Sequence, residues 1–193
     1  MEMIKVEVSI GVSARHVHLC KEDLELLFGK DYELTKKKEL TQPGQYSCVE
    51  QVVLVGPKNK MENVRILGPL RSKTQVELSK TDAYGLGIDP PVRNSGDLDD
   101  AAEIKIIGPK GEIIRNAAII ATRHLHATEE DIIKYGLEGK KFVTLKIAGE
   151  KSGILNNVHI RVDNNFKFEV HVDLDDSNAF LIKNGDTAEL IID

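Results

Sequence analysis

The chain has 193 residues, 41% hydrophobic and 30% charged, with 26 basic against 31 acidic residues for a net charge of −5. This composition is that of a globular protein, it lacks the overall cationic field of nucleic-acid binders, and the length is too short for a TIM barrel of about 250 residues. Cys20 and Cys48 are too few for a disulfide framework, and the opening MEMIKVEVSIGVSARHVHL has no apolar run long enough for a secretion signal or membrane span, so the chain reads as cytoplasmic, with neither membrane nor nucleic acid as partner.

In chain order, the alternation Ile4-Val6-Val8-Ile10 predicts a half-buried strand, and Leu24, Leu27 and Phe28 share one face of a short helix over Lys21–Phe28. Gly-Pro pairs at Gly56-Pro57, Gly68-Pro69 and Gly108-Pro109 mark turns between further strands. Residues 90–96, Pro-Pro-Val-Arg-Asn-Ser-Gly, are expected to form an ordered loop near a site and no regular structure. Period two returns at Ile104-Ile106, Val143-Leu145-Ile147, Phe168-Val170-Val172 and Leu190-Ile192. Thr128-x-x-Asp131 predicts a capped helix over residues 128–135, and a third helix is expected over 177–183. The chain is mainly β on this reading, a sandwich or barrel, with short and few helices.

Ala14-Arg-His-Val-His-Leu-Cys-Lys-Glu-Asp23 aligns without gaps on Thr122-Arg-His-Leu-His-Ala-Thr-Glu-Glu-Asp131, with five identities in ten, and both copies enter a predicted helix. Gly-Pro-Lys closes similar apolar segments at Lys58 and at Lys110. Together these repeats favour a fusion of two duplicated strand-rich modules.

Four of the six histidines form two His-x-His pairs, His16/His18 and His124/His126. On a strand, residues i and i+2 project from one face roughly 6 to 7 Å apart, so each pair can supply half of a metal ligand set. Imidazole suits zinc, copper, iron or nickel. One such pair is ordinarily a packed or solvated feature; duplication in the same context points to metal. Further ligands are expected from Glu77, on a polar strand face, and from His171, which shares a face with Glu169 and Asp173 opposite Phe168, Val170 and Val172. His159, between Val158 and Ile160, is either a ligand or part of a solvated face. Lys58, Arg65 and Arg71 lie near Gly-Pro pairs and suit phosphate oxygens, though each alone reads as a surface cation. Gly-x-Gly-x-x-Gly and Walker A sequences are absent, so dinucleotide and P-loop readings are unsupported.

Taken in order, Ser13-Ala-Arg-His-Val-His-Leu19, Asn63-Val-Arg-Ile-Leu-Gly-Pro-x-Arg71, Thr74-Gln-Val-Glu77, Pro91-Val-Arg-x-Ser-Gly96 and Ala121-x-Arg-His-Leu-His126 resemble the PduL-type phosphate propanoyltransferase family over nearly the whole chain. The resemblance implies two β-barrel domains capped by short α-helices, residues 1–14 with 122–193 forming the first barrel and 15–121 the second. It implies a dinuclear zinc site, two zinc ions per chain, held by His16, His18, Glu77, His124, His126 and His171. The implied reaction is reversible transfer of a short acyl group, propanoyl or acetyl, between coenzyme A and phosphate. Arg71 would bind phosphate, while Val12, Ser13, Ala14, Lys58, Arg65 and Asn178 would contact coenzyme A. Acyl-CoA and phosphate are the partners implied; the sequence leaves a homo-oligomer open. Family members packaged in bacterial microcompartments usually carry an amphipathic N-terminal extension, and its absence predicts a free cytosolic enzyme without shell packaging.

Other classes fit less well. Gly11-x4-His16-x-His18-x3-Glu22-x6-Gly29 falls one residue short of a mononuclear cupin motif, but its later part has helical spacing and leaves the second His-x-His unexplained. An amidohydrolase barrel exceeds the length. A non-catalytic zinc- or CoA-binding module would hold its metal in a closed four-ligand site. Cys20, at a helix start where the second repeat has Thr128, is a rival nucleophile.

Overall fold

The structure, a computed structural model, describes residues 4–192, so the outermost residues of the 1–14 and 122–193 segments lie outside the described residues. The elements are β1 (Ile4–Ser13), β2 (His16–His18), α1 (Lys21–Phe28), β3 (Lys36–Glu39), β4 (Tyr46–Val55), β5 (Lys60–Gly68), β6 (Gln75–Glu77), α2 (Lys80–Leu86), β7 (Val92–Arg93), β8 (Ala102–Ile107), β9 (Glu112–Ala121), β10 (His124–Ala127), α3 (Glu129–Lys134), β11 (Phe142–Ile147), β12 (Gly153–Val162), β13 (Glu169–Asp173), α4 (Leu174–Phe180) and β14 (Thr187–Ile192).

The fold is mainly β and forms two compact units. One contains β1 through Ser13, the segment Thr41–Pro43 and the chain from Thr122 onward; the other contains Ala14–Leu40 and Gly44–Ala121. In the first, β1-β13-β10-β12-β11-β14 close into a barrel. In the second, β4-β5-β2-β6-β9 run in order and β8 pairs with both β9 and β4, closing a second six-strand circuit, with β3 and β7 appended.

The two circuits match strand for strand. Each His-x-His strand lies parallel to one long strand (β2 to β5, β10 to β12) and antiparallel to a short one (β6, β13). That short strand in turn runs parallel to the long strand β9 or β1. The repeat therefore reaches well beyond the ten aligned residues, and β1 supplies to its barrel the strand that β9 supplies to the other.

Alternation places the cores. The middle residue of each His-x-His, Val17 or Leu125, is fully buried within its unit's apolar cluster, so the flanking imidazoles project from the opposite face. In β11, Val143, Leu145 and Ile147 are buried while Phe142 and Lys146 are exposed. Each fully buried Leu or Ile contributes roughly 1.5–3 kcal/mol.

Short helices follow the site strands. Helix α3 has the capping box expected from sequence, Thr128 accepting from Asp131 N–H and Asp131 from Thr128 N–H. Helix α1 matches its predicted span, but its N-cap Cys20 makes no side-chain cap; the equivalent Asp23 is instead bound by Thr74 Oγ1 (2.5 Å) and Arg115 (2.6 Å). Helix α4 starts three residues before the expected 177, because Asp173 caps it by accepting from Asp176 N–H. Helix α2 is an addition, and its signal was Ser79-x-x-Asp82, the same pattern as Thr128-x-x-Asp131.

Two expectations change. Residues 90–96 are mostly irregular, yet Val92–Arg93 form the two-residue strand β7 on β9. The Gly-Pro-Lys recurrence does not echo the two barrels, because both turns belong to one unit, linking β4 to β5 and β8 to β9. Lys58 N–H donates to Leu86 C=O at the end of α2 (3.0 Å), and Lys110 N–H to Leu27 C=O at the end of α1 (2.9 Å). The motif recurs because each turn satisfies a carbonyl that a helix end leaves open. Among the described residues, no helix is long and apolar enough to cross a membrane.

Candidate metal centres

In the unit of Ala14–Leu40 and Gly44–Ala121, His16 and His18 share one face of β2, and Glu77 on β6 is the direct register partner of His16. All three side chains are buried, and one ligand atom from each lies within 4.8 Å of the others. The Ala14 carbonyl accepts from His16 Nδ1 (2.8 Å), so Nε2 keeps its lone pair, 3.6 Å from Glu77 Oε2. His18 Nδ1 is buried without a hydrogen-bond partner. Glu77 Oε1 accepts from Gln75 Nε2 (2.6 Å) and Ser95 Oγ (2.7 Å), while Gly96 N–H holds Gln75 Oε1 (2.7 Å).

Electrostatics oppose one another here. Burial alone would lower the His16 pKa, but the Glu77 carboxylate outweighs it and holds the pKa above the ordinary value. Burial, then the charges of His16 and Arg71, hold His18 well below it. Burial would raise Glu77, yet His16 and His18 keep its carboxyl well below the usual range. Glu77 is thus held ionised beside the two imidazoles.

The other unit repeats the arrangement. His124 and His126 share a face of β10, and His124 pairs in register with His171 on β13. Their ligand atoms also lie within 4.8 Å of one another. His124 Nδ1 donates to the Thr122 carbonyl (2.8 Å), and His126 Nδ1 is buried and unpartnered. Burial first, then the neighbouring His124, His171 and Arg161, push His126 down to about 2, which keeps its imidazole neutral. Glu169 Oε2 accepts from His171 Nε2 (2.7 Å) and from Gln42 Nε2 (3.3 Å).

Both triads fit a metal ion. Each offers a buried Nδ1 that the protein leaves unsatisfied and three protein donors, the number that catalytic zinc keeps while leaving a position open.

The remaining predicted residues are distributed as follows. Arg71 donates to Ser95 Oγ (3.0 Å), the hydroxyl that bonds Glu77. Val12 and Ser13 end β1, where Val12 N–H donates to Asn184 Oδ1 (3.0 Å), and Ala14 supplies the carbonyl on His16. Lys58 is exposed with its ammonium over the Tyr84 ring, and Arg65 on β5 donates to Cys48 C=O (3.1 Å). Asn178, on α4, is exposed and lines a cavity of about 730 Å³ together with Phe180, Leu181, Lys183 and the turn at Gly149 and Glu150. His159 sits beside His124 in the sheet, packs on Phe142, and is outside the converging triad. Arg65 holds the corresponding place beside His16. Cys20 Sγ accepts from Thr74 Oγ1 (3.5 Å).

Sequence reasoning missed Gln75, Ser95, Gln42 and Arg161. For Glu169 the sequence shows only a strand face shared with His171. The signal for Gln75 and Glu169 was their common place two residues before Glu77 and His171.

Comparison with known proteins shows the family. The family model for phosphate propanoyltransferase matches residues 9–183. A phosphate propanoyltransferase of Thermotoga maritima is 50% identical over 186 residues, covering 95% of this chain and 89% of that protein. One of Priestia megaterium is 50% identical over 184 residues (95% and 85%), and one of Clostridioides difficile 42% over 185 (95% and 88%).

Proposed function

This chain belongs to the phosphate propanoyltransferase family and is an acyltransferase, and we propose that it interconverts a short-chain acyl-CoA, propanoyl or acetyl, plus phosphate with acyl phosphate plus coenzyme A at a dinuclear zinc site. One zinc would be held by His16, His18 and Glu77 and one by His124, His126 and His171. The observation that carries this reading is the pair of equivalent triads, buried apart from a half-buried His171, each with an unsatisfied buried imidazole nitrogen. Zinc held there supplies Lewis-acid polarisation and stabilises the thiolate form of a coordinating thiol.

The protein's own groups set up the rest. Arg71 brings a guanidinium to the His16–Glu77 triad and is the residue to hold phosphate, by its planar fork. Ser95 ties that guanidinium to Glu77. Val12, Ser13, Ala14, Lys58, Arg65 and Asn178 are the coenzyme A contacts; Lys58 carries an exposed ammonium, and Asn178 borders a cavity large enough for part of a nucleotide-like ligand. The cytoplasm is the proposed place of action.

Thiol release from acetyl- and propanoyl-CoA in the presence of phosphate, with metal analysis of the same preparation, tests the reading. Phosphate-dependent release that chelation abolishes is expected. Full activity in a metal-free preparation would end the zinc proposal, and no release from either thioester would end the proposed substrates.

A further inference from the structure

The two triads differ in one ligand, a carboxylate at Glu77 and an imidazole at His171, although these residues occupy the same register position opposite His16 and His124. The residues two places earlier differ in the reverse sense. Gln75, a neutral amide, donates to Glu77 Oε1 at 2.6 Å, and Glu169, a carboxylate, accepts from His171 Nε2 at 2.7 Å. Gln75 pairs with His18 in register as Glu169 pairs with His126. Both are almost fully buried.

We infer that Gln75 and Glu169 are paired positioning residues, and that each triad is built with one carboxylate in total: in the ligand itself in one barrel, directly behind the ligand in the other. Glu169 accepts the Nε2–H of His171, which sets the tautomer that leaves Nδ1 with its lone pair. Gln75 anchors one oxygen of Glu77 and leaves Oε2 toward His16. Two carboxylates in one buried site would repel, and none would leave an imidazole-only site without negative charge to offset a divalent cation.

Each positioning residue is itself held from outside the strand. Gly96 N–H fixes Gln75 Oε1 at 2.7 Å, and Gln42 Nε2 reaches Glu169 Oε2 at 3.3 Å while also bonding Lys167 C=O at 3.0 Å. Gln42 lies in Thr41–Pro43, the segment that belongs with the barrel containing β13, and its contact with Glu169 gives that placement a purpose.

This inference rests on the zinc reading, and its test separates the two. Zinc affinity is measured by competition with a chromophoric chelator for wild type, Glu169→Gln, and the double variant Glu169→Gln/His171→Glu, which copies the Gln-x-Glu order of residues 75–77. Melting temperature is recorded with and without zinc. Wild type binding about two ions supports the zinc reading; binding none overturns both. Glu169→Gln is expected to weaken one of the two sites by about 10- to 100-fold, leave the other unchanged, and reduce the zinc-dependent rise in melting temperature without lowering the melting of the metal-free protein.

The double variant is expected to recover the lost affinity to within about tenfold of wild type. Unchanged affinity in Glu169→Gln, or failure of the double variant to recover it, overturns the inference while leaving the zinc reading standing. Should Glu169→Gln not fold, the double variant decides alone, by holding two ions or one.

Discussion

Glu77 Oε2 stands 3.6 Å from His16 Nε2, directly across the antiparallel pairing of β2 and β6. The two residues hold each other's charge state. Burial disfavours the His16 imidazolium, and the Glu77 carboxylate, with a smaller contribution from the Ala14 carbonyl, outweighs that. Glu77→Gln therefore drops the His16 pKa below its ordinary value in metal-free protein, observable in imidazole nitrogen NMR shifts across pH 4–9 (about two units either side of the ordinary value). It also lowers bound zinc from two ions toward one and cuts acyl transfer at least about a hundredfold. An unchanged His16 titration would contradict the pairing.

Gly11 is the register partner of His171, and a Cβ there would lie 2.7 Å from His171 Cδ2 and Nε2 and 3.3 Å from Glu169 Oε2. In the other barrel, Ile119 faces the slimmer Glu77. Gly11→Ala thus pushes the imidazole aside. The expected result is loss of one zinc ion with a stability cost of about 1–3 kcal/mol, read by metal analysis beside denaturant unfolding.

The arginine preceding each His-x-His ties β-strand to helix. Arg123 makes two bonds to Asp176 on α4, at 2.6 and 2.9 Å, whereas Arg15 makes one to Asp82 on α2 at 2.5 Å. Both guanidiniums are partly exposed, which reduces what each pair contributes. Arg123→Ala is expected to cost roughly 1–3 kcal/mol and more than Arg15→Ala, with Arg123→Lys recovering little because lysine cannot bond in the same two-pronged way. Chemical unfolding of the three variants ranks them.

Arg71→Ala removes the guanidinium beside the His16–Glu77 triad. It is expected to raise the KM for phosphate about tenfold or more with a melting temperature within a few degrees of wild type. An equal rise in the KM for acyl-CoA, with no change for phosphate, would reassign the residue.

Cys48 is fully buried, and burial followed by the Glu50 carboxylate pushes its thiol up to about 11. Unfolded, it ionises near 8.5–9. The native state therefore keeps a proton that the unfolded state gives up, so this contribution to stability is complete below about pH 8.5 and fades as pH rises toward 11. Cys48→Ala should lose less stability than wild type between pH 8.5 and pH 11 in urea titrations, and iodoacetamide should label Cys48 only after unfolding.

Local rules made much of the molecule legible from its residues. Period-two alternation marked the strands, Thr128-x-x-Asp131 marked a helix start, and a duplicated His-x-His identified four of the residues that the two triads bring together, because all of these depend on neighbours a few positions apart. The meeting of His16 with Glu77 across 61 positions, and of His124 with His171 across 47, depends on strand register in closed barrels, which residue spacing alone does not specify. The same holds for Gly11 beneath His171, Gln42 reaching Glu169, and Gly-Pro-Lys turns ending two helices of a single barrel. The alphabet of donors was written along the chain; which donors share one buried pocket, and which residue stands behind each, was decided by long-range backbone pairing that only the folded barrels bring about.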